Sequence, residues 1–151
     1  MRVINRNVNR EYEIIEKYEA GIALTGAEVK TVRQGRIKLE GSYVKIIGSE
    51  VHLVNGEIAI YEYARPEKYD ARRTRKLLLH KSEILRLKTK LSASNNLTIV
   101  PIACYNKKSL IKLEIAMAKG KKTWEKKNVE KVRDEKRRVE KEMKEQIKNY
   151  Q

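Results

Sequence analysis

The chain has 151 residues, of which 35 are Lys or Arg and 20 are Asp or Glu, for a formal net charge of +15 at pH 7. Its single cysteine excludes an internal disulfide and a multi-cysteine metal cage, and no apolar run approaches the roughly 18 residues that span a membrane. Because the N-terminus lacks an apolar signal region, we expect a cytoplasmic protein. The strong positive charge favours a phosphate-rich partner, with nucleic acid as the first candidate.

The character of the chain changes after Ala118. We expect residues 1–118 to form one domain, the body, and residues 119–151 to form a basic C-terminal tail. The tail has 13 Lys or Arg and 7 Asp or Glu, which leaves too few apolar residues for a core of its own. More than half of the net charge therefore lies in the body, and we expect the body to be a binding surface as well.

The body begins with strand and helix patterns. Apolar and polar residues alternate over residues 12–24, which predicts a half-buried strand. Thr25 and Glu28 have capping-box spacing and Gly35 suits a helix C-terminus, so a short helix is predicted between them. Strands follow at residues 43–47, 51–54 and 58–61, with Asn55-Gly56 predicted as a tight hairpin turn.

The second half of the body starts with a long polar loop, residues 62–74, which runs into the basic block of residues 72–76. Ile84, Leu87 and Leu91 have helical spacing, and residues 97–105 and 110–118 are predicted to form a pair of strands. Six strands and two short helices make the fold mainly β. The predicted architecture is a small antiparallel oligonucleotide-binding (OB-like) barrel, since closure removes exposed sheet edges.

Binding is better supported than catalysis. His52 and His80 lack ligand-like spacing, and the chain has no Gly-rich phosphate loop or nucleophile elbow, so we expect no enzyme activity and no cofactor or metal. The basic block suits a phosphate clamp, the alternative being a solvated loop. Glu19 is an acceptor for base N–H groups. Tyr61, Tyr63 and Tyr69 surround the long loop and suit stacking on bases, although core packing is the plainer interpretation of each.

Several short segments together carry a family resemblance. In chain order they are Asn5-Arg6, Glu19-Ala20-Gly21-Ile22, Gly26-Ala27-Glu28-Val29-Lys30, Arg33-Gln34-Gly35, Arg73-Thr74-Arg75-Lys76-Leu77-Leu78-Leu79-His80 and Ala118-Lys119-Gly120-Lys121-Lys122. This combination resembles the SmpB family of SsrA-binding proteins, which partner transfer-messenger RNA in bacterial ribosome rescue. The match extends over nearly the whole chain.

The resemblance implies that the body grips the tRNA-like domain of transfer-messenger RNA in place of an anticodon arm. The RNA-binding residues it implies are Arg6, Glu19, Lys30, Arg33, Arg36, Arg73, Arg75, Lys76, Leu78, His80, Lys119, Lys121 and Lys122. It also implies a ribosome as partner, and elongation factor Tu and alanyl-tRNA synthetase as further partners through the shared RNA.

The resemblance further implies a tail that is disordered when free and helical in the empty messenger channel. The expected ribosome contacts are Trp124, Lys126, Lys127, Lys131, Arg133, Arg137 and Arg138. The tail's thin apolar stripe agrees with a marginal helix; it comprises Val129, Val132, Val139, Met143, Ile147 and Tyr150. A solubilising tail or a self-associating coil is the alternative for this segment.

Two departures from the family pattern concern Trp124 with Lys127, and the loop segment Lys68-Tyr69-Asp70-Ala71. Trp124 keeps an aromatic ring for stacking, whereas Lys127 lacks a bidentate guanidinium. For the whole chain, the alternatives are a structural ribosomal protein, a general single-stranded RNA binder and an RNA-processing enzyme. The missing cluster of acid, base and nucleophile argues against the last.

Overall fold

The computed structural model describes residues 1–64 and 67–149. The strands are β1 (Arg2–Ile4), β2 (Tyr12–Ile22), β3 (Ile37–Lys38), β4 (Tyr43–Ile47), β5 (Glu50–Val54), β6 (Glu57–Ile58), β7 (Arg75–Leu78), β8 (Leu97–Lys107) and β9 (Leu110–Gly120). The helices are α1 (Val8–Glu11), α2 (Gly26–Arg33), α3 (Lys81–Ala93) and α4 (Thr123–Asn149). The chain divides into two compact units, one of residues 1–120 and one that begins at Lys121.

Six antiparallel strands close into a ring. The order around the ring is β2, β9, β8, β4, β5, β7 and back to β2, which confirms the predicted mainly-β barrel. Strand β1 adds to the ring by pairing with the second half of β8, where Val3 lies opposite Cys104. Strands β3 and β6 form a separate two-stranded sheet.

The barrel closes around an apolar core because its long strands alternate. In β9, Ile111, Leu113, Ile115 and Met117 are buried, with the more polar residues between them turned outward. Helix α3 adds Leu87, which is fully buried. Cys104 is also buried and part of this core, and burial raises the pKa of its thiol to about 12.

Two predictions in the middle of the chain are wrong. The strand expected at residues 58–61 is only the two-residue β6, and it pairs with β3 instead of folding back on β5. Asn55 does have the left-handed backbone expected of an Asn-Gly turn, with φ of 64°, but its side-chain amide donates to the Gly41 carbonyl 14 residues away. The sixth barrel strand is instead β7, which lies in the segment expected to be a basic loop.

The predicted start of the tail is two residues early. Strand β9 continues through Gly120, and Lys119 pairs with Glu13 on one side and Leu97 on the other. Lys119 is therefore an exposed residue of the barrel sheet, whereas Lys121 and Lys122 follow it outside the strand.

Helix α4 is a single helix of 27 residues. Its apolar side chains Val132, Val139, Met143 and Ile147 are between 43% and 64% exposed. The helical spacing of the tail is thus confirmed, while its disorder in the free protein stays a prediction. The side chains of Trp124, Lys126 and Val129, and the whole of Tyr150, lie outside the described residues. Among the described residues, no helix combines the length and apolar character needed to cross a membrane.

Candidate RNA interface

A buried ion pair links α2 to β7. Glu28, the third residue of α2, completes the predicted capping box: its backbone N–H donates to Thr25 Oγ1, and its carboxylate accepts from the Thr25 backbone N–H at 3.0 Å. The other carboxylate oxygen lies 2.7 Å from Nε and 2.6 Å from Nη2 of Arg75. Both side chains are at most 1% exposed, so α2 and β7 are joined through the interior.

The remaining N–H groups of Arg75 hold the loop that precedes it. Nη1 donates to the carbonyls of Gly56 and Arg73 at 2.8 and 2.9 Å, and Nη2 donates to the Ala71 carbonyl at 3.1 Å. The guanidinium is therefore fully used within the protein. The expectation that Arg75 contacts RNA is corrected: it is a buried positioning residue, because no donor is left for a phosphate.

The Glu28 carboxylate is held ionised. Burial by itself would raise its pKa, but the backbone hydrogen bond from Thr25 and the Arg73 and Arg75 guanidiniums together lower the pKa of Glu28 to about 2. Tyr69, a candidate for base stacking, belongs to the same network, since its hydroxyl donates to the Ile58 carbonyl at 2.9 Å. Tyr69 is thus held by the fold and is not a free stacking surface.

The outward side chains of the basic block follow from the strand alternation of β7. Arg75 and Leu77 point into the barrel, whereas Lys76 and Leu78 point out. Lys76 Nζ lies 3.4 Å from Glu50 Oε1, and both side chains are about half exposed. His80 is exposed at the N-terminus of α3, where its side chain makes no capping hydrogen bond.

Arg73 lies between these two environments. Its Nη2 is 2.6 Å from Glu28 Oε1, yet 43% of its side chain is exposed. The carboxylate therefore fixes the guanidinium at the surface without covering it. This is the arrangement expected of a preorganised phosphate ligand.

Leu78 lies at the edge of a small apolar cavity of about 280 Å³, together with Leu110. Both leucines are more than half exposed. Gly21, opposite Leu78 on the neighbouring strand, allows this approach, because a Cβ there would come within 3.2 Å of the Leu78 Cβ. Exposed apolar side chains beside basic ones suit the flat faces of nucleobases.

Glu19 belongs to a surface cluster with Tyr105, Lys107 and Arg2, here called the Glu19 cluster. The Tyr105 hydroxyl donates to Glu19 Oε2, and Lys107 Nζ lies 3.1 Å from Oε1. These two hydrogen bonds, that of Tyr105 first, lower the pKa of Glu19. Desolvation, and then Glu19, raise the pKa of Tyr105 to about 12, and the Arg2 guanidinium carbon lies 5.3 Å from the Tyr105 ring centroid.

The other predicted basic residues of the body lie on exposed positions around α2 and β1. Lys30 Nζ is 5.3 Å from the Tyr61 ring centroid, and Arg33 Nη2 donates to the Ser109 carbonyl at 3.1 Å. Arg36 is exposed just after α2. Arg6 lines a wider groove of about 740 Å³ between β1 and the β3 region, with Arg2 and Lys38.

Sequence reasoning did not single out Tyr105, Lys107 or Arg2. They meet Glu19 only through the pairing of β2, β9 and β8, across 86 and 88 residues for Tyr105 and Lys107. No spacing in the sequence signals that contact. The described residues contain no group of three or more His, Cys, Asp or Glu placed to hold a metal ion.

A closed barrel with exposed guanidinium, ammonium and apolar groups defines a small, basic β-barrel protein with candidate nucleic-acid surfaces. The model of the SmpB protein family matches residues 2–145. The chain is 48% identical to the SsrA-binding protein of Sulfurihydrogenibium sp. (strain YO3AOP1) and 46% identical to that of Persephonella marina, each time over 95% of this chain and 94% of the relative. The chain belongs to the SmpB family.

A solved structure agrees. It is described as "tmRNA-SmpB: a journey to the center of the bacterial ribosome", and the match has a TM-score of 0.66 at 43% sequence identity. The similarity covers 81% of this chain and 85% of the other.

Proposed function

We propose that this protein binds the tRNA-like domain of transfer-messenger RNA (SsrA) and delivers it to stalled ribosomes for trans-translation, the rescue and peptide tagging of arrested translation. The observation that carries the proposal is membership of the SmpB family over residues 2–145, which includes both the barrel and most of α4. The protein acts as an adaptor without catalytic turnover, in the cytoplasm.

The body holds the RNA and stands in for its missing anticodon arm. Arg73, Lys76 and His80 are exposed beside one another in sequence, and they supply donors to phosphates. Leu78 offers an apolar contact to a base or ribose. The remaining body contacts are Arg6, Lys30, Arg33, Arg36 and Lys119, with Glu19 acting through its cluster.

Glu19 has a defined task in this account. Its carboxylate accepts from base N–H groups, which phosphate-binding residues cannot read. To do so it exchanges the Tyr105 or Lys107 donor for one on the RNA, and the released donor then becomes available to a neighbouring phosphate. A carboxylate in a basic surface thereby contributes specificity instead of repulsion.

The tail enters the messenger channel of the stalled ribosome as a helix. Lys121 and Lys122 lie before α4, and Lys127, Lys131, Arg133, Arg137 and Arg138 follow along it, facing ribosomal phosphates. Trp124 and Lys126 are proposed to contact the decoding region. Elongation factor Tu and alanyl-tRNA synthetase join through the shared RNA.

The test is a salt titration of binding to the tRNA-like domain and to an ordinary tRNA, for the full chain and for residues 1–120. The shorter chain retains every residue of the main core cluster and forms a compact unit. A preference for the tRNA-like domain that survives truncation supports the body as the specific reader. Equal binding to both RNAs, lost on truncation, would contradict the proposal and leave a generic polycation.

A further inference from the structure

Tyr63 is the most exposed large hydrophobic side chain among the described residues, with 81% of its surface accessible. It follows β6 on a short turn closed by a 2.9 Å hydrogen bond from the Ala64 N–H to the Tyr61 carbonyl. An aromatic ring of this size normally gains stability by burial, and Tyr63 gains little. Its exposure therefore needs another explanation.

The ring of Tyr63 is not isolated. It meets the half-buried ring of Tyr61 edge to face, with centroids 5.5 Å apart and an angle of 66° between the planes. This is a preferred geometry for an aromatic pair. Tyr61 is in turn held by Lys30, whose Nζ lies 5.3 Å from the ring centroid.

The backbone ties this aromatic pair to the basic end of α2. The Ala59 N–H donates to the Arg36 carbonyl at 3.2 Å, so the segment leading to Tyr61 runs beside the exposed Arg36. A cation, a supporting ring and an exposed ring thus occur together. Such a combination is suited to a nucleotide, whose base stacks on the ring while its phosphate meets the cation.

We propose that Tyr63, supported by Tyr61, forms a stacking site for an unpaired nucleobase of the bound RNA, with Lys30 and Arg36 meeting its phosphate. The inference rests on the proposed function and adds a binding site to it. The net charge of +15 favours RNA over a protein partner for a surface flanked by these cations. Stacking tolerates any base, so the site anchors a single-stranded nucleotide and does not read its identity.

The test uses the full chain and the tRNA-like domain of transfer-messenger RNA, with Tyr63→Ala, Tyr63→Phe and the matched control Tyr43→Ala. Tyr43 is an exposed tyrosine on β4, at 44%, outside this site. Tyr63→Ala is expected to weaken binding about fivefold or more, while Tyr63→Phe and Tyr43→Ala stay within about twofold of wild type. The salt dependence should be the same for all four proteins, because stacking releases no counterions.

A second readout follows the base itself. With 2-aminopurine placed in turn at unpaired positions of the RNA, at least one position should be quenched by wild type and by Tyr63→Phe, but not by Tyr63→Ala. Unchanged affinity and quenching for Tyr63→Ala overturns the stacking site, including the case in which that variant fails only with a protein partner. Failure of the wild-type protein to bind the tRNA-like domain would instead overturn the proposed function.

Discussion

Glu28 and Arg75 are 47 residues apart in the chain, and their side chains meet at 2.6 Å in the interior of the body. One oxygen of the carboxylate takes two guanidinium N–H groups, and the other takes Arg73 at the surface. The pair thereby couples the start of α2 to the strand that closes the barrel. A basic surface segment is held in place by a fully buried charge pair.

Removing one partner of this pair should be strongly destabilising. Glu28→Ala leaves the Arg75 guanidinium buried without a counter-charge and removes the α2 capping box, so we expect a loss of ~3–5 kcal/mol in the free energy of unfolding. Urea denaturation measures this loss. Glu40→Ala, an exposed carboxylate, is the control and should change stability by less than about 0.5 kcal/mol. Equal effects of the two substitutions would show that the buried pair contributes nothing special.

The same carboxylate predicts a pH dependence. The pKa of Glu28 is lowered from its ordinary value of 4.5 to about 2 in the fold. Its contribution is therefore fully present above about pH 4.5 and is lost as the pH falls toward 2, and it amounts to about 3 kcal/mol. Titration of the Glu28 carboxyl carbon by NMR should give a midpoint well below 3.5. A midpoint near 4.5 would contradict the ion pair.

The Glu19 cluster predicts an effect opposite to that of simple charge. Removing a carboxylate from a basic surface should strengthen RNA binding on charge alone, whereas Glu19→Ala is expected to weaken binding to the tRNA-like domain by about fivefold or more. Lys17→Ala should cost less and reduce the salt slope by about one. Affinity and salt slope measured for both variants decide between the two accounts.

Glu13→Ala is the matched control, because Glu13 is another exposed carboxylate on β2. It should leave affinity unchanged or raise it slightly. If Glu19→Ala behaves like Glu13→Ala, or matches Lys17→Ala in both affinity loss and salt slope, Glu19 does not act as a base acceptor.

The isolated tail should be a poor helix in water. Helix α4 leaves Val132, Val139, Met143 and Ile147 largely exposed, so little burial stabilises it. A peptide of residues 121–151 should show weak helical circular dichroism in dilute buffer and gain helix in trifluoroethanol. A fully helical signal that does not depend on peptide concentration would contradict this expectation, and one that grows with concentration would indicate a self-associating coil.

The sequence predicted the elements whose periodicity is long and regular. β2, β8, β9 and α3 each have enough alternating or helical positions to be recognised, and the Thr25–Glu28 capping box was correctly placed. Strand β7 was missed because it has only four residues, two of them charged. Its inward position is occupied by Arg75, which is the reverse of the usual pattern of apolar residues inside.

The site was predictable only where neighbours in sequence are neighbours in space. The basic block was recognised, but which of its residues face outward depends on β7 being a strand. The Glu19 cluster depends on the register of three strands, in which Glu19 lies opposite Glu114 and Tyr105 opposite Lys112. Such contacts follow from tertiary pairing and have no local signal.

The most direct test of the central claim is peptide tagging in a reconstituted translation system stalled on a message without a stop codon. With alanylated transfer-messenger RNA and elongation factor Tu present, the full chain is expected to support addition of the tag to the arrested peptide. Residues 1–120 should bind the RNA but add little tag. Tight RNA binding by the full chain without any tagging, under conditions in which an established SmpB protein tags efficiently, would contradict the account.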